Sequence, residues 1–146
     1  MQSMLIALGP CRRRRPRLLH VFIADDDEQV RFGLRTLLSL TGNVEIVGEA
    51  DRIDRLVSGT LLSQPDVVLL DWELPGRVDP NLFETLHGAA SHPKIIALST
   101  HADQEQPALA AGAEAFICKA DPPKRLLTLL LEQASAVAES QHKRTE

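Results

Sequence analysis

Gln64-Pro65-Asp66-Val67-Val68-Leu69-Leu70-Asp71 runs directly into Trp72-Glu73-Leu74-Pro75-Gly76. Val67 to Leu70 are four apolar residues with no charge among them, the pattern of a strand buried on both faces. A carboxylate closes the run and a Pro-Gly turn comes soon after. In open α/β sheets, ligands bind beyond the carboxyl ends of the strands. Asp71 is therefore expected at a site and not in a core.

Elements of matching kind flank this stretch. Residues 18–24 read as a first strand ending at Asp25-Asp26-Asp27, and residues 44–49 alternate like a second. Residues 94–98 form a fourth strand ending at Ser99, and residues 113–118 a fifth ending at Lys119. Helices are expected between them. Val30, Leu34, Leu37 and Leu38 keep helical spacing over 28–40; Ile53, Leu56, Val57, Leu61 and Leu62 mark a second stripe. A third helix covers about 80–88. A short fourth ends near Ala111 with Gly112 as its cap. Pro122 opens the last, with Leu126, Leu127, Leu130, Leu131 and Ala134 as its stripe. Five β-α units imply an α/β domain, a doubly wound five-stranded parallel sheet covered by helices on both faces.

The 146 residues, 44% apolar and 25% charged, suffice for one soluble domain but not two. A net charge of −4 disfavours non-specific nucleic-acid binding. Cys11 and Cys118 form no disulfide or zinc pattern, which fits a reducing, cytoplasmic setting. No apolar run approaches the ~20 residues of a membrane helix. Met4 to Leu8 precede Arg12 to Arg15, the reverse of a secretory signal. Residues 1–17 are expected to be a disordered leader, 18–135 the domain, and 136–146 a polar tail.

The strand ends carry the chemistry. With the first strand central, Asp25 and Asp26, Asp71, Ser99 and Lys119 converge at one edge. Packed carboxylates repel and raise one another's pKa. A hard divalent cation relieves this, and magnesium takes one or two carboxylates while keeping water. An ammonium and a hydroxyl alongside suit phosphoryl transfer to a carboxylate nucleophile.

In Ala24-Asp25-Asp26, Val68-Leu69-Leu70-Asp71-x-x-Leu74-Pro75-Gly76, Ala97-Leu98-Ser99 and 110–119, the chain resembles the receiver domain of bacterial two-component response regulators. The likeness covers roughly 18–134. Val30-Arg31-x-Gly33-Leu34 is most similar to regulators carrying a helix-turn-helix. The resemblance implies a flavodoxin-like fold with strand order 2-1-3-4-5. It implies Asp71 as phosphoacceptor, Mg²⁺ on Asp26 directly, on Asp25 through water, on Asp71 and on the Glu73 backbone carbonyl. Ser99 would bond the phosphoryl oxygen, Lys119 would pair with phosphate, and Phe116 would be the aromatic switch, turning inward as phosphate draws in Ser99. The implied role is phosphorelay signalling without turnover of a substrate. Partners would be a histidine kinase or phosphotransfer protein and a downstream protein, with a homodimer as a further candidate. Specific DNA binding and membrane association are not expected.

Other features read more plainly. Asp27 is expected to cap the first helix. The histidines lack metal-ligand spacing, and His101 falls near the site by its position two residues past Ser99. Trp72 is expected on the rim beside Asp71. Departures from the family pattern are Thr100 after Ser99, Ala120 after Lys119, the loop Arg77-Val78-Asp79 lacking Asp-Gly, and Pro107, which predicts a short fourth helix. Two alternatives follow. One is a degenerate receiver acting as an interaction module independent of phosphorylation. The other is an aspartyl-nucleophile phosphatase, with Asp71-Trp72-Glu73 in place of D-x-D.

Overall fold

A computed structural model describes residues 18–76 and 80–145. The expected leader with Cys11 and Arg12 to Arg15, and the loop residues 77–79, lie outside the described residues. In chain order the elements are β1 (Leu19–Ala24), α1 (Glu28–Ser39), β2 (Val44–Ala50), α2 (Ile53–Ser63), β3 (Val67–Asp71) and α3 (Leu82–His87). There follow β4 (Lys94–Ser99), a 3₁₀ turn (Ala102–Gln104), α4 (Glu105–Ala111), β5 (Ala115–Cys118) and α5 (Pro123–Thr145). The strands form one parallel sheet in the order β2-β1-β3-β4-β5, the flavodoxin-like order expected.

The two-residue period of the strands sorts the core into two layers. Val21, Ile23, Val67, Leu69, Ile96 and Leu98 point to one face, where Leu38 of α1 and Leu126 and Leu130 of α5 cover them. Phe22, Ala24, Val68, Leu70 and Ile95 point to the other, under Leu56 of α2 and Leu86 of α3. Phe22 needs room there: a Cβ on Gly48 would lie 2.5 Å from its ring and one on Gly59 2.6 Å. Two side-chain-free positions thus let a phenylalanine fill the gap between β2 and α2.

Several boundaries differ from the sequence reading. β3 extends one residue past the apolar run Val67 to Leu70 and ends on Asp71, paired with Leu98; just before it, the Asp66 carboxylate accepts the His20 amide at 2.9 Å. In α2, Leu61 and Leu62 are exposed, at 51% and 87%, while Thr60 is buried. Ile53, Leu56, Val57 and Thr60 occupy the i, i+3, i+4, i+7 face, and Leu62 falls on the far side. Leu131 of α5 likewise faces out, with Leu130 in. α3 begins only at Leu82. Pro123, not Pro122, occupies the first position of α5, and the helix runs on to Thr145, through most of the stretch expected to be a polar tail. Pro107 is tolerated as the third residue of α4, where its missing N–H has no helical partner. Gly112 ends that helix at φ 123°, a left-handed value that favours glycine. Among the described residues, no helix is long and apolar enough to cross a membrane.

Candidate functional site

Parallel pairing brings the ends of β1, β3, β4 and β5 to one edge. Asp25, just past β1, is buried, and its backbone amide bonds Ala50 at 3.0 Å. One of its carboxylate oxygens accepts the Asp27 amide at 2.9 Å, and the other accepts Lys119 Nζ at 2.8 Å. Arg31, one turn into α1, donates to the Asp25 carbonyl at 2.6 Å. The same guanidinium pairs with Glu28 and Glu49, so the loop is held from the helix side. Asp27 caps α1 as expected, accepting the Gln29 amide at 2.8 Å. Asp26 is left facing solvent.

Asp71, on the last position of β3, is buried. Its Oδ1 accepts the Glu73 amide at 3.1 Å and lies 3.3 Å from Lys119 Nζ. One carboxylate oxygen from each of Asp25, Asp26 and Asp71 falls within 4.8 Å of the others. Burial, and then the charge of Asp25, push the Asp71 carboxyl up to about 7. The Glu73 amide and Lys119 oppose this only in part. Lys119 is itself held above its ordinary range: burial works against its charge, but the bond to Asp25 and the charge of Asp71 outweigh it. Three hard oxygen donors, two of them buried and one open to solvent, match what a divalent cation such as Mg²⁺ requires.

Ser99, the last residue of β4, is fully buried. Its hydroxyl donates to the Glu73 carboxylate and accepts the His101 amide at 2.9 Å. The Lys119 amide bonds the Ser99 carbonyl at 2.7 Å, tying the ends of β4 and β5 together. Thr100, next in line, is exposed. Phe116 is buried at 5% exposure among Ala97, Ala108 and Ala113. The sequence reading has it turning inward on phosphorylation; here it is already inside. Trp72 is half-buried on the rim, its indole N–H donating to Gln104 at 3.0 Å and its ring 6.2 Å from Phe83.

All five strand-end groups therefore gather at one edge. The sequence reading missed the Glu73 side chain, Arg31 and Gln104. Glu73 entered as a backbone-carbonyl ligand and as the second acid of the phosphatase alternative, and its carboxylate was not linked to Ser99; its place two residues past Asp71, on the same turn, was the available signal. Arg31 and Gln104 act across elements, and nothing local marks them.

The pattern of the response regulator receiver domain matches residues 21–131. Response regulator UvrY of Escherichia coli strain K12 is 29% identical over 115 residues, covering 77% of this chain and 53% of that protein. Transcriptional regulatory protein DesR of Bacillus subtilis strain 168 is 32% identical over 111 residues, covering 75% of this chain and 55% of DesR. The chain thus spans about half the length of the curated relatives it matches. Among solved structures, the signal receiver domain of the response regulator NarL from Mycobacterium tuberculosis superposes with a TM-score of 0.73 at 28% identity, covering 82% of this chain and 98% of that one. The isolated REC domain of RcsB from Salmonella enterica serovar Typhimurium, in the presence of phosphomimetic BeF₃⁻, gives a TM-score of 0.70 at 24% identity, covering 79% and 87%. That last likeness speaks to the fold alone.

Proposed function

Because the chain belongs to the response regulator receiver domain family, we propose that it accepts a phosphoryl group on Asp71 from a histidine kinase or phosphotransfer protein, in the cytoplasm and with Mg²⁺, and signals onward by protein contact. One observation carries this reading: Lys119 Nζ bridges Asp25 and Asp71, at 2.8 and 3.3 Å, beside a triad of carboxylates. That arrangement gathers a carboxylate able to act as nucleophile, an acid pair able to hold a cation and a positive charge from the ends of β1, β3 and β5 at one edge of the sheet.

Asp25, Asp26 and Asp71 would hold the metal, with the Glu73 backbone carbonyl as a further ligand. Bound Mg²⁺ would supply charge neutralisation for the carboxylates and the incoming phosphoryl oxygens. In the transfer, an Asp71 carboxylate oxygen forms the new bond to phosphorus. The bond from phosphorus to the donor nitrogen breaks, and that nitrogen keeps the electron pair and takes a proton from solvent. Lys119 lowers the cost of ionising Asp71 and then faces the phosphoryl charge. Ser99 is placed to donate to a phosphoryl oxygen. Little else is needed, since catalysis of this transfer is mostly positioning and electrostatics.

The test is incubation with acetyl phosphate and Mg²⁺, followed by intact-mass analysis. One added phosphoryl group, abolished by chelation of the metal, is expected. Absence of any adduct would overturn the assignment in favour of an interaction module. Continuous release of phosphate from an ester substrate would favour the aspartyl phosphatase instead.

A further inference from the structure

Glu73 does something that the phosphoacceptor reading does not require. Its carboxylate takes the only hydroxyl proton of Ser99, and that hydroxyl accepts the backbone amide of His101. Ser99 is fully buried, while Glu73 reaches it from the exposed turn after β3. The two groups reach each other because Glu73 lies in the turn after β3 while Ser99 ends β4, the neighbouring strand. Trp72 extends the contact: its amide bonds the Leu98 carbonyl at 2.7 Å and its indole holds Gln104 in the 3₁₀ turn. The end of β4, at Leu98 and Ser99, and the 3₁₀ turn after it, at Gln104, are therefore fastened to the turn after β3 at three points, and Phe116 is already packed inside.

We propose that Glu73 is an internal stand-in for the phosphoryl group: in the unphosphorylated chain its carboxylate occupies Ser99, holds the end of β4 in the engaged position, and must be displaced before a phosphoryl oxygen on Asp71 can take that hydroxyl. The proposal rests on Asp71 being the phosphoacceptor. Glu73 is a positioning residue in this account, acting through Ser99. It also adds a negative charge beside the path of an anionic donor. Two consequences follow. Small anionic donors react slowly with the wild type, and the segment 98–104 is already ordered before any phosphate arrives.

Two substitutions separate these effects. Glu73→Ala removes both charge and hydrogen-bond acceptor. Glu73→Gln removes the charge but keeps an oxygen able to accept from Ser99. Hydrogen exchange of the unphosphorylated, metal-free proteins is read at residues 98–104. Protection is expected to fall in Glu73→Ala and to stay near wild type in Glu73→Gln. Rates of modification by acetyl phosphate with Mg²⁺ are expected to rise about 10- to 100-fold in Glu73→Ala, the range one charge-assisted hydrogen bond commands. In a Ser99→Ala background most of that gain is expected to vanish, since additivity fails for residues that act together. Unchanged protection in Glu73→Ala would overturn the proposal, as would an unchanged rate in protein that takes up phosphate. If no variant takes up phosphate at all, the phosphoacceptor reading fails, and the exchange measurement still decides whether Glu73 holds Ser99.

Discussion

The β1-α1-β2 side of the sheet is fastened by charge, whereas the β4-α4-β5 side is closed by small residues. On the first side, Arg31 and Arg35 both pair with Glu28 and Glu49, and Arg31 also grips the Asp25 carbonyl. Asp27 caps α1, and Leu38 seals it onto the sheet. On the second side, α4 has seven residues, no side-chain cap, and Ala108 as its buried residue. Its core is Ala97, Ala108, Ala113 and Phe116. Small side chains bury little area, so repacking this side costs little. The difference suits a site whose metal-binding acids must stay put while the neighbouring surface responds.

The largest expected effect tests that asymmetry through stability. Leu38→Ala empties a fully enclosed position and should cost about 2–5 kcal/mol in chemical denaturation. Leu109→Ala, on α4 and 38% exposed, should cost under ~1 kcal/mol. Equal losses would erase the distinction between the two sides.

Asp71 sits on the seam and should make stability depend on pH. Its folded pKa, about 7, lies above the ordinary aspartate value of 3.8. The folded state therefore holds the extra proton between these values. The stability it contributes is present below about pH 4 and lost as pH rises through about 7. With metal chelated, Asp71→Asn should be more favourable at pH 8 than at pH 4 by on the order of 4 kcal/mol. A difference that shrinks towards high pH would contradict the burial argument.

Arg31→Ala should cost about 1–2 kcal/mol and weaken the response of Trp72 fluorescence to Mg²⁺, because Asp25 loses its backbone support. A full-strength response would show that the acid pair stands without the arginine. The smallest effect belongs to Thr100. Its side chain is exposed at the mouth of the site, and Thr100→Ala should speed modification by small donors severalfold at most. A slower rate would assign Thr100 a supporting role.

Much of this arrangement is legible in the chain. Uncharged runs such as Val67 to Leu70 announce buried strands, and polar residues at their ends announce the edge where the site forms. Asp25, Asp71, Ser99 and Lys119 meet as the strand order demands. Helix faces were less legible: Leu62 looks core-like until the 100° step places it on the far side of α2, and Leu61, at the edge of the buried face, is half exposed. The Glu73–Ser99 bond was hidden for another reason. It joins turns whose side chains meet only after β3 and β4 pair, and no spacing along the chain encodes it. Phe116 could be placed near the switch, but its inward position follows from the room left by three alanines.

The central claim is that Asp71 carries the phosphoryl group. Borohydride reduces an acyl phosphate to the alcohol, so trapping after reaction with acetyl phosphate and Mg²⁺ should convert aspartate to homoserine at the modified position. Peptide mapping should find that change at residue 71 and at no other acid, with Asp71→Asn giving none. Homoserine at Asp25, Asp26 or Asp66, or undiminished phosphoryl uptake by Asp71→Asn, would contradict the account.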